Sequence, residues 1–322
     1  MTRPVVFVGR RIPQVGLDIL AQHTDVRVHS GALPPTRSEL LTGVQGVDGI
    51  LSLLSDRMDG EVFDAAGPQL KVVGNFAVGF NNIDVEAAKQ RRIAVGNTPG
   101  VLTDATADIA VALMMGAARR LKEGWTAVDQ RQWRTWEPLG WIGLDMKGKT
   151  LGIIGMGRIG QAVAQRLHGG WGMQVLYTSR QPKPEVDRTM NARRVEVDEL
   201  LASSDFISIH VALNEGTRHS INAAAFDKMK STAVVVNTAR GEVVDQAALI
   251  DALKNNRIFA AGLDVCEPEP LPDSSPLRQL VNCLLVPHIG SATVTARNAM
   301  AERAARNVVA GIMGEPLPYP VY

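Results

Sequence analysis

The stretch Thr150-Leu151-Gly152-Ile153-Ile154-Gly155-Met156-Gly157-Arg158-Ile159-Gly160-Gln161-Ala162-Val163-Ala164-Gln165-Arg166-Leu167 decides how this sequence folds. An apolar run reads as a strand, three glycines follow with the spacing G-x-G-x-x-G, and the remainder carries a helical pattern. Gly155 permits a tight turn, Gly157 lets the backbone approach a pyrophosphate, and Gly160 lets the helix pack closely on the sheet. The N–H groups and positive end of that helix then bind phosphate. Glycine-rich turns often serve only as turns, so the strand before and the helix after carry the dinucleotide-binding reading.

Outward from this point the chain alternates short apolar runs with helical patterns, the signature of parallel βαβ units. Before it, strands are expected at Val5 to Gly9, Val26 to His29, Gly49 to Leu53, Val72 to Asn75 and Ile93 to Gly96. A long, well-buried helix is expected from Thr103 to Leu121. From the fingerprint onward, strands are expected at Thr150 to Gly155, Gln174 to Thr178, Phe206 to His210, Ala233 to Asn237, Ala260 to Asp264 and Leu284 to Pro287, then a last helix from Thr293 to Met313. That helix is too short to found a domain and is expected to pack back onto the first series. No repeat or low-complexity tract interrupts the pattern.

The 322 residues suffice for two domains, and 45% apolar with 21% charged residues is a globular balance. Lys plus Arg number 34 against 33 Asp plus Glu, which leaves no large electrostatic footprint for nucleic acid. The opening MTRPVVFVGRR resembles neither a secretory signal nor a membrane span, and its apolar core reads as a first strand. Cys266 and Cys283 lack metal-binding or C-x-x-C spacing, so two buried free thiols and no metal are expected. With no export signal, the expected location is the cytoplasm.

About twenty residues beyond the fingerprint, a dinucleotide fold that takes NAD places a carboxylate on the ribose 2′-hydroxyl. Here the second strand ends Leu176-Tyr177-Thr178-Ser179-Arg180, without an acid. Ser179 offers a hydrogen bond and Arg180 a charge-assisted contact to a 2′-phosphate, with Lys183 nearby, so NADPH is expected over NADH. The bland alternative makes Arg180 an exposed loop charge.

Three more segments start at the carboxyl ends of expected strands: Val235 to Gly241, with Thr238 and Arg240; Ala261 to Pro270, with Asp264 and Glu269; and Val286 to Ala292, with His288. Open α/β sheets place ligand sites at those ends, so all three aim at one crevice. Singly, His288 and Arg240 would more often be structural; together, downstream of a dinucleotide fingerprint, they read as catalytic. His210 is as easily structural as cleft-lining and is left out of catalysis.

Taken together, these segments and two others, Asn75 to Asp84 and Asn97-Thr98-Pro99-Gly100, resemble the D-isomer-specific 2-hydroxyacid dehydrogenase family over essentially the whole chain. Within it, the sequence is most similar to the glyoxylate/hydroxypyruvate reductases, including the branch that also reduces 2-ketogluconate. The resemblance implies a Rossmann doubly wound parallel-sheet cofactor domain, 102–288, inserted into a smaller flavodoxin-like α/β substrate domain made of 1–101 plus 289–322. It places the active site between the two.

The resemblance further implies roles for particular residues. Arg240 would hold the substrate carboxylate and keto oxygen. His288 would be the general acid and base. Glu269 would orient His288 and raise its pKa. Gly155, Gly157, Arg158, Ile159, Gly160, Ser179, Arg180, Thr238, Asp264 and Thr106 would bind the cofactor, with Asp264 on the nicotinamide carboxamide. Leu53 and the backbone of Val78 and Gly79 would bind substrate, beside Arg240 and His288, and Arg57 and Phe76 would shape the pocket. The activity implied is reduction of small 2-keto acids such as glyoxylate, hydroxypyruvate and 2-ketogluconate. Trp125, Trp133, Trp136 and Trp141 fall where such enzymes carry an arm around a partner subunit, which implies a homodimer; the alternative is core packing within one chain. Another dehydrogenase of the family, or a cofactor-sensing binding protein without catalysis, are the competing readings. The chain's end soon after its last helix is expected to set it apart from relatives with added C-terminal regulatory domains or long tails.

Overall fold

The computed structural model describes residues 3–322. It comprises two compact units, Met1–Leu102 with Ala292–Tyr322, and Thr103–Ser291.

The first unit is built on β1 (Val5–Val8), β2 (Asp25–Val28), β3 (Gly49–Ser52), β4 (Val72–Asn75) and β5 (Ala94–Gly96). All pair in parallel, in the order β2-β1-β3-β4-β5. This is the flavodoxin-like order. Parallel strands covered on both faces have no polar side, so β3 and β4 are buried at every residue. One face packs Phe7, Ile50, Val73 and Val95 against Val62, Phe63 and Leu40. The other face receives the final helix, Val294–Met313, whose N-cap Thr293 accepts from Ala296 N at 3.1 Å. It lies so close that a Cβ at Gly74 would sit 2.8 Å from the Ala304 carbonyl oxygen.

The second unit carries β6 (Thr150–Ile154), β7 (Gln174–Thr178), β8 (Arg193–Arg194), β9 (Phe206–Ile209), β10 (Val234–Asn237), β11 (Ala260–Leu263) and β12 (Cys283–Leu285). Their parallel order is β12-β11-β10-β9-β6-β7-β8, a Rossmann sheet that reverses direction at β6. Side chains alternate between the faces with period two. Val234 and Val236 join Leu151, Ile153 and Phe206 in one core, and Val235 joins Ile207, Ile209 and Leu263 in the other.

Two expected elements differ in detail, and one strand is new. The helix begun at Thr103 ends at Ala118, because Arg120 takes a left-handed φ of 55°, and a separate helix runs from Leu121 to Asp129. The last strand starts one residue and ends two residues earlier than expected, at Cys283–Leu285. The two-residue edge strand β8 was absent from the sequence reading, since a pair of arginines carries no strand pattern.

Candidate active site

The fingerprint turn follows β6. Gly155 has φ +100°, and a Cβ there would lie 2.8 Å from the His210 carbonyl, so only glycine fits. A Cβ at Gly160 would meet the Gly155 carbonyl oxygen at 2.3 Å, which is how the helix Arg158–Trp171 comes down onto the turn. Gly157, by contrast, faces open space and caps that helix without a side-chain bond. An uncapped N-terminus of a 14-residue helix beside an unobstructed glycine fits a phosphate group. Arg158 is exposed at the first helical position and Ile159 packs partly into the core behind it.

At the end of β7, Arg180 is exposed. The Ser179 hydroxyl donates to the Gln181 carbonyl at 2.5 Å, so its hydrogen serves the loop rather than an incoming phosphate in this arrangement. The Lys183 amide donates to the Tyr177 hydroxyl at 2.9 Å and fixes the loop's return. From β8, Arg194 donates through Nε to the Ser179 carbonyl at 3.0 Å. This second cation on the loop after β7 has no signal in the sequence, because only the pairing of β8 with β7 brings it there.

Arg240, Glu269 and His288 follow β10, β11 and β12, three strands that are immediate neighbours in the sheet. His288 Nδ1 lies 2.5 Å from Glu269 Oε1. An ionised carboxylate only accepts, so Nδ1 carries the hydrogen of this bond and Nε2 is the ring nitrogen that Glu269 does not engage. His288 has φ +52°, in the left-handed region that favours glycine. Asp264 holds it there. The Asp264 carbonyl accepts from His288 N at 2.9 Å, and its carboxylate oxygens accept from Ile289 N at 2.6 Å and Gly290 N at 2.8 Å. At 2% exposure, burial raises the Asp264 pKa, against the opposing effect of those amides. Beside them Thr106 is buried, its side chain closing on Gly290.

Arg240 is half-buried, and its Nη1 donates to the Ala239 carbonyl at 2.7 Å. Burial draws its pKa below the usual arginine value, while Glu269 and Glu242 oppose the shift and keep the cation. Asn237 shapes its turn, accepting from Ala239 N at 2.9 Å and donating to the Arg240 carbonyl at 2.8 Å. Next to it, Gly241 passes so close beneath Cys266 that a Cβ would lie 2.0 Å from the Cys266 carbonyl oxygen. Between the fingerprint and Arg240 stands His210, after β9. Its Nε2 pairs with Ser208 Oγ at 2.8 Å and its Nδ1 lies 3.4 Å from Thr238 Oγ1. Burial of its ring pushes His210 down to about 3, so it is a neutral support for Thr238.

In the first unit, the loop after β4 is drawn into shape by asparagines. Asn97 Nδ2 donates to the Val78 carbonyl at 2.7 Å and Asn75 Nδ2 to the Gly79 carbonyl at 2.8 Å. The Leu53 amide donates to Asp56 Oδ2 at 2.8 Å, while Asn82 Nδ2 holds the Leu53 carbonyl at 3.0 Å. Phe76 is buried, with the Arg297 guanidinium 5.9 Å from its ring centre. Arg57 points outward and pairs with Asp59 at 3.0 Å.

The family model described as D-isomer specific 2-hydroxyacid dehydrogenase, NAD binding domain, matches residues 111–290. The chain belongs to this family. This dehydrogenase is 48% identical over 320 residues to the glyoxylate reductase of Thermococcus gammatolerans, covering 98% of this chain and 95% of the relative. It is 46% identical over 322 residues to the human glyoxylate reductase/hydroxypyruvate reductase, covering 98% of each. A crystal structure from Thermus thermophilus matches with a TM-score of 0.92 at 44% identity, covering 99% of this chain and all of that one. The NADPH-dependent glyoxylate/hydroxypyruvate reductase of Sinorhizobium meliloti, solved with NADP and malonate, matches with a TM-score of 0.84 at 31% identity over 99% and 97% of the two chains. Our 2-hydroxyacid dehydrogenase is therefore an oxidoreductase with a nicotinamide cofactor.

Outside the site, Trp125, Trp133 and Trp136 are exposed, Trp136 at 79%, and Trp141 is borderline at 37%. Core packing within one chain does not account for them. Cys283 is buried as expected, but Cys266 is only half-buried. Burial raises the two thiols to about 12 and about 11 respectively, so both stay protonated at neutral pH. Among the described residues, no group of three or more His, Cys, Asp or Glu side chains is placed to hold a metal, and no helix is long and apolar enough to cross a membrane.

Proposed function

We propose that this dehydrogenase reduces glyoxylate and hydroxypyruvate, and as a third candidate 2-ketogluconate, to D-2-hydroxy acids with NADPH. The observation that carries the reading is the 2.5 Å bond between His288 and Glu269, at the ends of strands neighbouring the one that presents Arg240.

A nicotinamide cofactor, when bound, would supply the hydride that the carbonyl carbon receives. As negative charge grows on the carbonyl oxygen, His288 gives it the proton of Nε2, and Glu269 stabilises the imidazolium form that the reaction consumes. Arg240 meets the substrate carboxylate with a planar, permanently charged donor set. The amides of Val78 and Gly79 and the side chain of Leu53 are the first unit's proposed contribution to substrate binding. The fingerprint glycines with Arg158 and Ile159, and Thr238, Thr106 and Asp264, are the proposed cofactor set, and the Arg180 charge selects the 2′-phosphate.

A panel of 2-keto acids assayed with NADPH and NADH tests this. Turnover of glyoxylate and hydroxypyruvate, faster with NADPH, is expected; no reduction of either acid with either cofactor would reject it. We further propose a homodimer joined through the tryptophan-bearing segment 121–142, because exposed aromatic groups at this density are interface anchors. A monomeric mass in light scattering at micromolar concentration would remove that part. Two protonated thiols without a disulfide suit the proposed cytoplasmic location, which fractionation of the source cells would check.

A further inference from the structure

Glu269 stands in a segment that cannot brace itself. It is flanked by Pro268 and Pro270, which have no N–H, and its side chain is 41% exposed. Two residues back, Glu267 is gripped on both carboxylate oxygens: Oε1 accepts from Arg218 Nη1 at 3.0 Å, and Oε2 pairs with His219 Nε2 at 2.6 Å. The Glu267 amide donates to Gln246 Oε1 at 3.0 Å. His219 N in turn donates to the Glu242 carbonyl at 2.8 Å, and Ile221 N to the Val243 carbonyl at 3.2 Å. Segments 218–221, 241–244 and 266–269 are thus stitched together where Gly241 passes under Cys266, directly beside Arg240.

We propose that Glu267, clasped by Arg218 and His219, is a positioning residue that sets the Glu269 carboxylate against His288. Ion pairs this exposed contribute little to folding stability, so what the clasp fixes is geometry. The backbone points the same way. His219 holds a left-handed φ of 49°, as His288 does at 52°, and such conformations persist where their surroundings dictate them. The proposal rests on the assignment of Glu269 and His288 as the proton-transfer pair.

The test is a double-mutant cycle on the purified full-length enzyme with NADPH and glyoxylate. Glu267→Ala is expected to lower kcat about tenfold, the scale of a small misplacement of a catalytic group, with the melting temperature and the NADPH Kd nearly unchanged. In a Glu269→Gln background, which itself loses activity, removing Glu267 is expected to cost nothing more, because its effect passes through Glu269. His219→Gln, which keeps a donor, should retain most activity, while His219→Ala should behave like Glu267→Ala. Full kcat in Glu267→Ala, or a loss that multiplies with that of Glu269→Gln, overturns the clasp while leaving the pair standing. Full activity in Glu269→Gln overturns the pair and the clasp together.

Discussion

Oδ1 of Asp264 lies 2.6 Å from the amide nitrogen of Ile289, and this bond, with its neighbour to Gly290, makes the carboxylate an anchor for the turn that presents His288. The resemblance to known dehydrogenases assigned Asp264 to the cofactor's carboxamide. Each carboxylate oxygen has a second lone pair, so a cofactor contact remains compatible with the anchoring role seen here.

Asp264→Asn is therefore expected to do more than weaken cofactor binding. The side-chain amide sets a donor against one of the two backbone donors, at a cost of about 1–3 kcal/mol. Urea denaturation should show the loss of stability, and kcat should fall with it as the His288 turn loosens. A variant as stable as the parent would refute the anchoring role.

His288→Ala should lower kcat by about 100-fold or more, the usual contribution of a positioned acid, while NADPH binding followed by fluorescence stays within about twofold of the parent. Retained turnover would remove His288 from proton transfer.

Arg180→Asp should weaken NADPH binding by roughly 10–100-fold, the value of a hydrogen bond to a charged group, and leave NADH binding unchanged or improved. Arg194→Gln should act in the same direction with a smaller loss, since its guanidinium already serves the Ser179 carbonyl. Calorimetric titration with each nucleotide separates the two contributions. An unchanged NADPH to NADH ratio in Arg180→Asp would refute its role.

His210 predicts a pH dependence of stability. Burial holds it at about 3, below its ordinary value of 6.5. Below 6.5 the unfolded chain takes up a proton that the folded chain refuses, so this contribution is complete above 6.5 and is lost as pH falls toward 3. The slope approaches about 1.4 kcal/mol per pH unit for one proton. Comparing unfolding free energies of the parent and His210→Gln between pH 7 and pH 4 should show the shallower slope in the variant; parallel slopes would contradict it.

The strands of both sheets were legible because Val, Ile and Leu runs such as Val234 to Val236 leave no polar face, which only a doubly covered parallel sheet tolerates. The glycines of the fingerprint were legible because each answers a local steric demand. What was hidden depends on packing at long sequence separation. No Gly or Pro marks the break at Arg120, just past Ala118, whose carbonyl accepts from the distant Leu144 N at 2.9 Å. Nothing near Gly241 in sequence announces Cys266 above it, and Glu267 gains meaning only when residues 48 and 49 positions away close on it. Arg194 likewise acts through the pairing of β8 with β7, which its own neighbours in sequence do not encode.

The sheet order β12-β11-β10-β9-β6 has a metric consequence. Strands repeat about every 4.8 Å, so four steps put the turn after β6 roughly 19 Å from the one carrying His288. That length is set by backbone hydrogen bonds and is indifferent to side chains. The sheet thus acts as a ruler, fixing how far a ligand must reach to touch both ends. Groups at either end can be exchanged without recalibrating the distance between them.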